Sequence, residues 1–170
     1  LLMTRILLDT NVILNDFFFF FSDFGFQRIS DPEQIRQVED YRNTVHESLL
    51  FLSLQKEVQV YCTTPILARY GALLGDLLVP AETVLEELQY WMSNIQLVEV
   101  GANDLAESLV QMENANSKVD FDDYLLKHIS QKNEIDMIVS SVPKSREFFW
   151  PVLVFKPEKL KDLTFSKSEG

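Results

Sequence analysis

The fold is decided by a short stretch near the start of the sequence, Arg5-Ile6-Leu7-Leu8-Asp9-Thr10-Asn11. A short apolar run with polar flanks predicts a buried β-strand over Arg5–Leu8. Thr10 or Asn11 suits the N-cap of a helix that begins with Val12. An acidic residue therefore stands where a strand ends and a helix starts. In open sheets of parallel strands, functional sites form at that end of the strands.

The rest of the chain alternates predicted strands with predicted helices. The further strands are predicted at Glu57–Cys62, Gln96–Val100, Asp136–Ser140 and Pro151–Phe155. Helix starts are predicted at Ser30-Asp31-Pro32-Glu33, Thr63-Thr64-Pro65, Pro80-Ala81-Glu82, Asn103-Asp104, Asp120 or Asp122, and a last helical turn at Pro157-Glu158. This order predicts a three-layer α/β/α architecture with a central, mostly parallel sheet. We expect one domain over residues 1–165 and a flexible C-terminal tail over 166–170.

Composition narrows the class of protein. With 170 residues, of which 46% are hydrophobic, the chain is long enough for one domain with a substantial core. The single cysteine, Cys62, excludes an internal disulfide, and no apolar segment is long enough to span a bilayer, so we expect a cytoplasmic protein. The net charge of −11 opposes a basic RNA-binding surface. It fits either a carboxylate cluster that holds metal or a surface that keeps the protein soluble.

Four segments together resemble the PIN-domain proteins, the family of the toxin nucleases of bacterial toxin–antitoxin pairs. Arg5–Leu14 is similar to the opening strand and Asp-Thr-Asn turn of that family, and Thr64–Tyr70 to the start of its second helix. Val119–Leu126 resembles its Asp-Phe-x-Asp helix, and Asp136–Ser140 its last core strand. The resemblance implies a metal-dependent endoribonuclease that uses Mg²⁺ or Mn²⁺, with RNA as substrate, an antitoxin protein as partner and a homodimer as assembly.

The resemblance also implies the site residues. Asp9 and Asp123 match the first and third acids of the family and are expected to be catalytic metal ligands. The supporting residues that we expect around them are Asn11, Thr10, Thr64, Arg69, Asp122 and Ser140. Each has an alternative role that the sequence leaves open, because Asp and Thr at these positions also cap helices or complement a helix dipole.

Two acids of the family pattern are absent from this sequence. The second position falls at Arg69, in a helix without any acid from Thr63 to Leu74, and the fourth falls at about Val142. A guanidinium repels a divalent cation, so we hypothesise that Arg69 takes the place of the metal and pairs with Asp9 and Asp123. Under that hypothesis the protein needs no cofactor. In an active enzyme, an acid from elsewhere in the chain, such as Asp104 or Glu107, would supply the missing ligand.

Three functions therefore remain open. The first is a toxin-type nuclease, and the second is an inactive PIN-like domain that binds RNA or a protein. The third is a module that oligomerises through the five phenylalanines Phe17–Phe21, which cannot all face one side of a helix. Of the other residues that bear chemistry, His128 is expected on a helix surface or near its end, and Cys62 in an apolar interior.

Overall fold

The computed structural model describes residues 3–20, 31–115, 120–140 and 153–155, with only the backbone of Phe18–Phe20 and Leu153–Phe155. The strands in these ranges are β1 (Thr4–Leu8), β2 (Val58–Thr63), β3 (Gln96–Val98), β4 (Met137–Val139) and β5 (Leu153–Phe155). The helices are α1 (Thr10–Phe20), α2 (Pro32–Ser53), α3 (Thr64–Asp76), α4 (Ala81–Asn94), α5 (Ala102–Asn114) and α6 (Phe121–Lys132).

The strands form one sheet in the order β3-β2-β1-β4-β5, and every neighbouring pair in it is parallel. Strand β1 lies at the centre, so its last three side chains, Ile6, Leu7 and Leu8, are buried on both faces. Ile6 and Leu8 enter the larger core, which contains residues of α1, α2, α3 and α4. Leu7 points to the opposite face, where it packs with Leu126 of α6. The predicted α/β/α architecture with a parallel sheet is confirmed.

Local signals placed two helix starts correctly. The Asp31 side chain accepts a hydrogen bond from the Glu33 N–H at 3.0 Å, and Pro32 occupies the first turn of α2. The Thr63 side chain caps α3 by accepting from the Ile66 N–H at 3.2 Å. These signals succeed because a cap satisfies backbone N–H groups through residues adjacent in sequence.

Other predicted boundaries were wrong by a few residues. Helix α1 begins at Thr10, so neither Thr10 nor Asn11 is its N-cap; Asp9 precedes it instead. Helix α5 starts after Gly101, and Asp104 stands inside its first turn with its carboxylate on the Gly101 N–H. Strands β3 and β4 are shorter than predicted because their pairing with neighbours stops at three residues each.

The single histidine of α6 is buried, which corrects the expectation of a surface position. His128 is 8% exposed and lies between α5 and α6. Cys62 is buried and unoxidised, as expected. Phe17 is 1% exposed and packs edge-on against the Tyr70 ring at 6.4 Å. Several predictions concern residues whose side chains the structure does not describe. They are the oligomerisation expected of the Phe run and the predictions at Val142, Pro157-Glu158 and 166–170.

None of the described helices has both the length and the apolar composition that crossing a membrane would need.

Candidate functional site

Asp9 lies at the carboxyl end of the central strand, at the junction between β1 and α1. Its Oδ1 accepts the Thr10 N–H at 2.8 Å, and its Oδ2 accepts the Ser140 hydroxyl at 2.9 Å. The Asp9 N–H donates to the Val139 carbonyl at 3.0 Å, which continues the β1–β4 pairing by one step. Asp9 and Ser140 are both buried. Each oxygen of this carboxylate is therefore held by the protein's own donors, one from each of the two central strand ends.

A small cavity of about 100 Å³ opens beside Asp9 at this end of the sheet. Asp9 and Thr10 line it from the β1–α1 junction, Arg69 from α3, and Asp122 from α6. The remaining lining residues are mostly apolar: Thr63, Pro65, Ile66, Val100, Leu125, Leu126 and Ile129. The cavity thus has one buried acid at its base, and an exposed arginine and an exposed aspartate in its wall.

Arg69 makes its ion pair with a different acid from those expected. Its Nη1 lies 3.5 Å from Asp122 Oδ2, and the side chains are 64% and 67% exposed. Within the described ranges, no ion pair joins Arg69 to Asp9 or Asp123, so that part of the hypothesis is wrong. Asp9 is at the base of the cavity and already has two donors, whereas Asp122 lies within reach of a long side chain at the surface. Exposed pairs of this kind contribute little to stability.

The other expected residues have separate positions. Thr64 Oγ1 accepts the Val100 N–H at 3.2 Å, which ties the start of α3 to the segment after β3. Asn11 is half-buried, and the described structure shows no hydrogen bond from its side chain to Asp9. Asp123 is buried in the first turn of α6, and the residues of α6 that line the cavity include Asp122 rather than Asp123. The sequence therefore predicted that Asp9 and Ser140 lie at the same end of the sheet, but the expected site residues do not all line one cavity.

A Mg²⁺ or Mn²⁺ centre needs several oxygen ligands that converge on one point. Over the ranges that the structure describes, no group of three or more His, Cys, Asp or Glu residues could hold a metal ion. Asp9, the best placed acid, already accepts two hydrogen bonds. Arg69 brings a positive charge to the cavity wall. The described residues therefore do not fit the centre of several acids that the family resemblance implies.

Cys62 lies directly behind this site, near the end of β2. Burial, with a smaller contribution from the negative charge of Asp9, raises the pKa of its thiol to about 12, although the contact with the Thr63 backbone acts in the opposite direction. A thiol with this pKa stays protonated at neutral pH, so Cys62 is a packing residue and not a nucleophile.

Two residues that line the cavity, Thr63 and Val100, were not among the expected supporting residues, although Thr63 stands at the end of a predicted strand. The sequence also did not indicate a group of polar side chains on two other helices. On α5 and α6, Asp104 Oδ1 lies 2.9 Å from both His128 Nε2 and Lys132 Nζ. His128 and Lys132 are one helical turn apart, which places them on one face, but nothing local pointed to Asp104 as their partner. Asp104 is therefore bonded to His128 and Lys132, and these contacts do not place it beside Asp9 as a substitute metal ligand.

Known proteins resemble this chain in backbone structure but not in sequence. No family model matches the chain, and no curated protein matches it in sequence. VapBC2 from Rickettsia felis, solved bound to a DNA fragment from its promoter, is similar with a TM-score of 0.56 at 12% identity, covering 90% of this chain and 98% of that one. VapC20 from Mycobacterium tuberculosis, a toxin that cleaves the sarcin-ricin loop, is similar with a TM-score of 0.55 at 11% identity, covering 84% and 94%.

A third structure gives the same result. FitAcB from Neisseria gonorrhoeae is similar with a TM-score of 0.50 at 20% identity, covering 89% of this chain and 97% of that one. At such identities the likeness concerns the fold and does not extend to activity. The parallel sheet, its helices and the position of Asp9 agree with the resemblance drawn from the sequence. The chain therefore adopts the PIN-like α/β fold of these structures.

Proposed function

We propose that this chain is a PIN-like domain of the toxin–antitoxin type that binds an antitoxin-like protein and does not cleave RNA through a metal centre. The observation that carries the proposal is the position of Arg69, on the wall of the cavity that contains Asp9. A fixed cation in the wall of this cavity opposes the binding of a divalent ion beside Asp9.

Two further observations support a protein partner over RNA. The net charge of −11 repels a phosphate backbone at long range. The solved structures with the same fold include VapBC2 and FitAcB. By this analogy the partner is a small protein of the antitoxin class. The homodimer that the resemblance implies belongs to the same proposal.

The competing function is a Mg²⁺- or Mn²⁺-dependent endoribonuclease. It is favoured by two buried acids, Asp9 at the end of β1 and Asp123 in the first turn of α6, and by the fold shared with the sarcin-ricin loop cleaving toxin. In that function the two carboxylates would be metal ligands, and the ion would activate water for phosphodiester hydrolysis. Acids outside the described ranges would then have to complete the ligand set.

A cleavage assay separates the two functions. The full chain, Asp9→Asn and Arg69→Glu are incubated with RNA in the presence of Mg²⁺ or Mn²⁺, and Mn²⁺ binding is measured by calorimetry. We expect no cleavage and no stoichiometric Mn²⁺ binding by the wild type, and stronger Mn²⁺ binding by Arg69→Glu because it restores an acid. Cleavage by the wild type that Asp9→Asn abolishes would contradict the proposal and establish the nuclease. Co-expression with a small protein encoded beside it should yield a stable complex in size-exclusion chromatography.

A further inference from the structure

A second cavity lies on the face of the sheet that α1–α4 cover. Its volume is about 340 Å³, and α1, α2, β2 and α4 contribute to its lining. The described residues that line it include none of those that line the cavity beside Asp9. Apolar residues such as Leu49, Leu52, Val58, Val60 and Ile95 form somewhat more of the wall than polar residues do. A concave space that combines apolar walls with polar groups is typical of a site for a small molecule.

The charged group in this cavity is Asp16 of α1. Its residue is 9% exposed, and its Oδ1 lies 2.9 Å from His46 Nδ1. Within the described ranges this contact is the hydrogen bond that the structure shows for the Asp16 side chain, and Asp16 lines the cavity. Burial raises the pKa of Asp16 although His46 acts in the opposite direction. A buried carboxylate with a single donor gains stability from a further donor or a positive charge.

Two aromatic residues of α4 complete the cavity. Tyr90 and Trp91 both line it, and their rings meet edge to face with centroids 5.5 Å apart. Trp91 is buried, whereas Tyr90 is 56% exposed. Aromatic faces attract ammonium groups, and the attraction grows where water is excluded. The carboxylate and the rings therefore favour the same kind of ligand.

We propose that this cavity binds a small organic cation, a primary amine on a short apolar or aromatic body, with its ammonium paired to Asp16. The volume is near the lower end of the range for ligand sites, about 300–1,000 Å³, which suits a small molecule. An anion would be repelled by Asp16. A metal ion would find one carboxylate and one imidazole, and no metal-binding group of three occurs in the described ranges. The negative charge of the whole chain adds attraction for cations.

Calorimetry on the full chain tests the proposal with three probes of similar size. Phenethylamine carries the ammonium, 3-phenylpropan-1-ol is neutral, and 3-phenylpropionate is an anion. We expect phenethylamine to bind with one-to-one stoichiometry, the alcohol to bind at least tenfold more weakly, and the anion not to bind. Equal affinity for the amine and the alcohol, or no binding of the amine, would overturn the proposal.

Substitutions locate the site. Asp16→Asn keeps the shape and an oxygen acceptor for His46 but removes the charge, so it should weaken phenethylamine binding tenfold or more. Asn94→Trp places a large ring at an exposed lining position and should abolish binding in a chain whose circular dichroism is unchanged. It keeps the test decisive if Asp16→Asn fails to fold.

The matched control is Asp122→Asn, which removes an acid elsewhere and should leave affinity unchanged. Unchanged affinity in both cavity variants would place the amine elsewhere and refute the site.

Discussion

Two buried aspartates of this protein each have a histidine as partner at the same distance, yet they behave in opposite ways. Asp104 Oδ1 lies 2.9 Å from His128 Nε2, and Asp16 Oδ1 lies 2.9 Å from His46 Nδ1. Asp104 is 4% exposed and Asp16 is 9% exposed. The Gly101 N–H, Lys132 and His128 lower the pKa of Asp104 well below its usual value. Burial raises the pKa of Asp16.

The difference lies in the number of donors around each carboxylate. Asp104 receives the Gly101 N–H on Oδ2 at 2.9 Å, and Lys132 Nζ lies 2.9 Å from its Oδ1. These donors compensate the loss of hydration, so the charged form is favoured. For Asp16, the loss of hydration is the largest influence on the pKa, and His46 is the donor that the described part of the chain shows for it. A histidine partner by itself therefore does not tell whether a buried acid stabilises a fold or is available for a ligand.

The largest effect is expected from Asp104→Asn. The substitution removes the charge that faces Lys132 and introduces an NH₂ group among donors, so unfolding should become about 2–3 kcal/mol easier. Urea denaturation at pH 7 measures the change. The exposed Asp122→Asn serves as the control and should shift stability by less than about 0.5 kcal/mol. Equal losses in the two variants would show that the Asp104 contacts do not stabilise the fold.

The next effect is a difference in pH dependence. Since the folded pKa of Asp104 is lowered, its contribution is complete above the unfolded pKa of about 4 and declines as the pH falls towards the folded value. The stability gap between wild type and Asp104→Asn should therefore shrink by about 1 kcal/mol per pH unit below pH 4.

Asp16 has the opposite sign, because its folded pKa is raised, so wild type should lose stability relative to Asp16→Asn as the pH rises from about 4. Parallel curves for the three proteins would contradict both directions.

The smallest effect is expected from Asp16→Asn at pH 7. The substitution relieves a poorly compensated buried charge and keeps an acceptor for His46, so the free energy of unfolding should change by less than about 1 kcal/mol. Thermal unfolding followed by circular dichroism is sufficient to measure it. A loss as large as that of Asp104→Asn would mean that the two aspartates have the same structural role, and the contrast between them would disappear.

Sequence patterns predicted features that depend on neighbouring residues. The apolar run before Asp9 predicted the central strand, and the caps at Asp31 and Thr63 predicted the starts of α2 and α3. Parallel strands place their carboxyl ends at one edge of the sheet, so the closeness of Asp9 and Ser140 also followed from topology. These predictions succeeded because strand burial and helix capping are set within a few residues, and the common direction of parallel strands follows from a simple rule of chain connection.

Contacts between long side chains were not predictable in the same way. The sequence indicated an arginine where the family has an acid, but the structure pairs it with Asp122, since Asp9 is recessed and already held by Thr10 and Ser140. His128 was expected near a surface, yet the packing of α5 on α6 buries it beside Asp104. Such pairings depend on which helix faces meet and on how much water they exclude.

The sequence by itself determined the PIN-like fold and placed Asp9 at the carboxyl end of the central strand. The physical reason is that strand periodicity, helix caps and parallel connections are encoded locally. Only the tertiary structure decided which charged side chains are compensated, because compensation depends on donors brought together from distant segments. In the described residues, Asp104 has three donors, whereas Asp16 has one and lines a cavity.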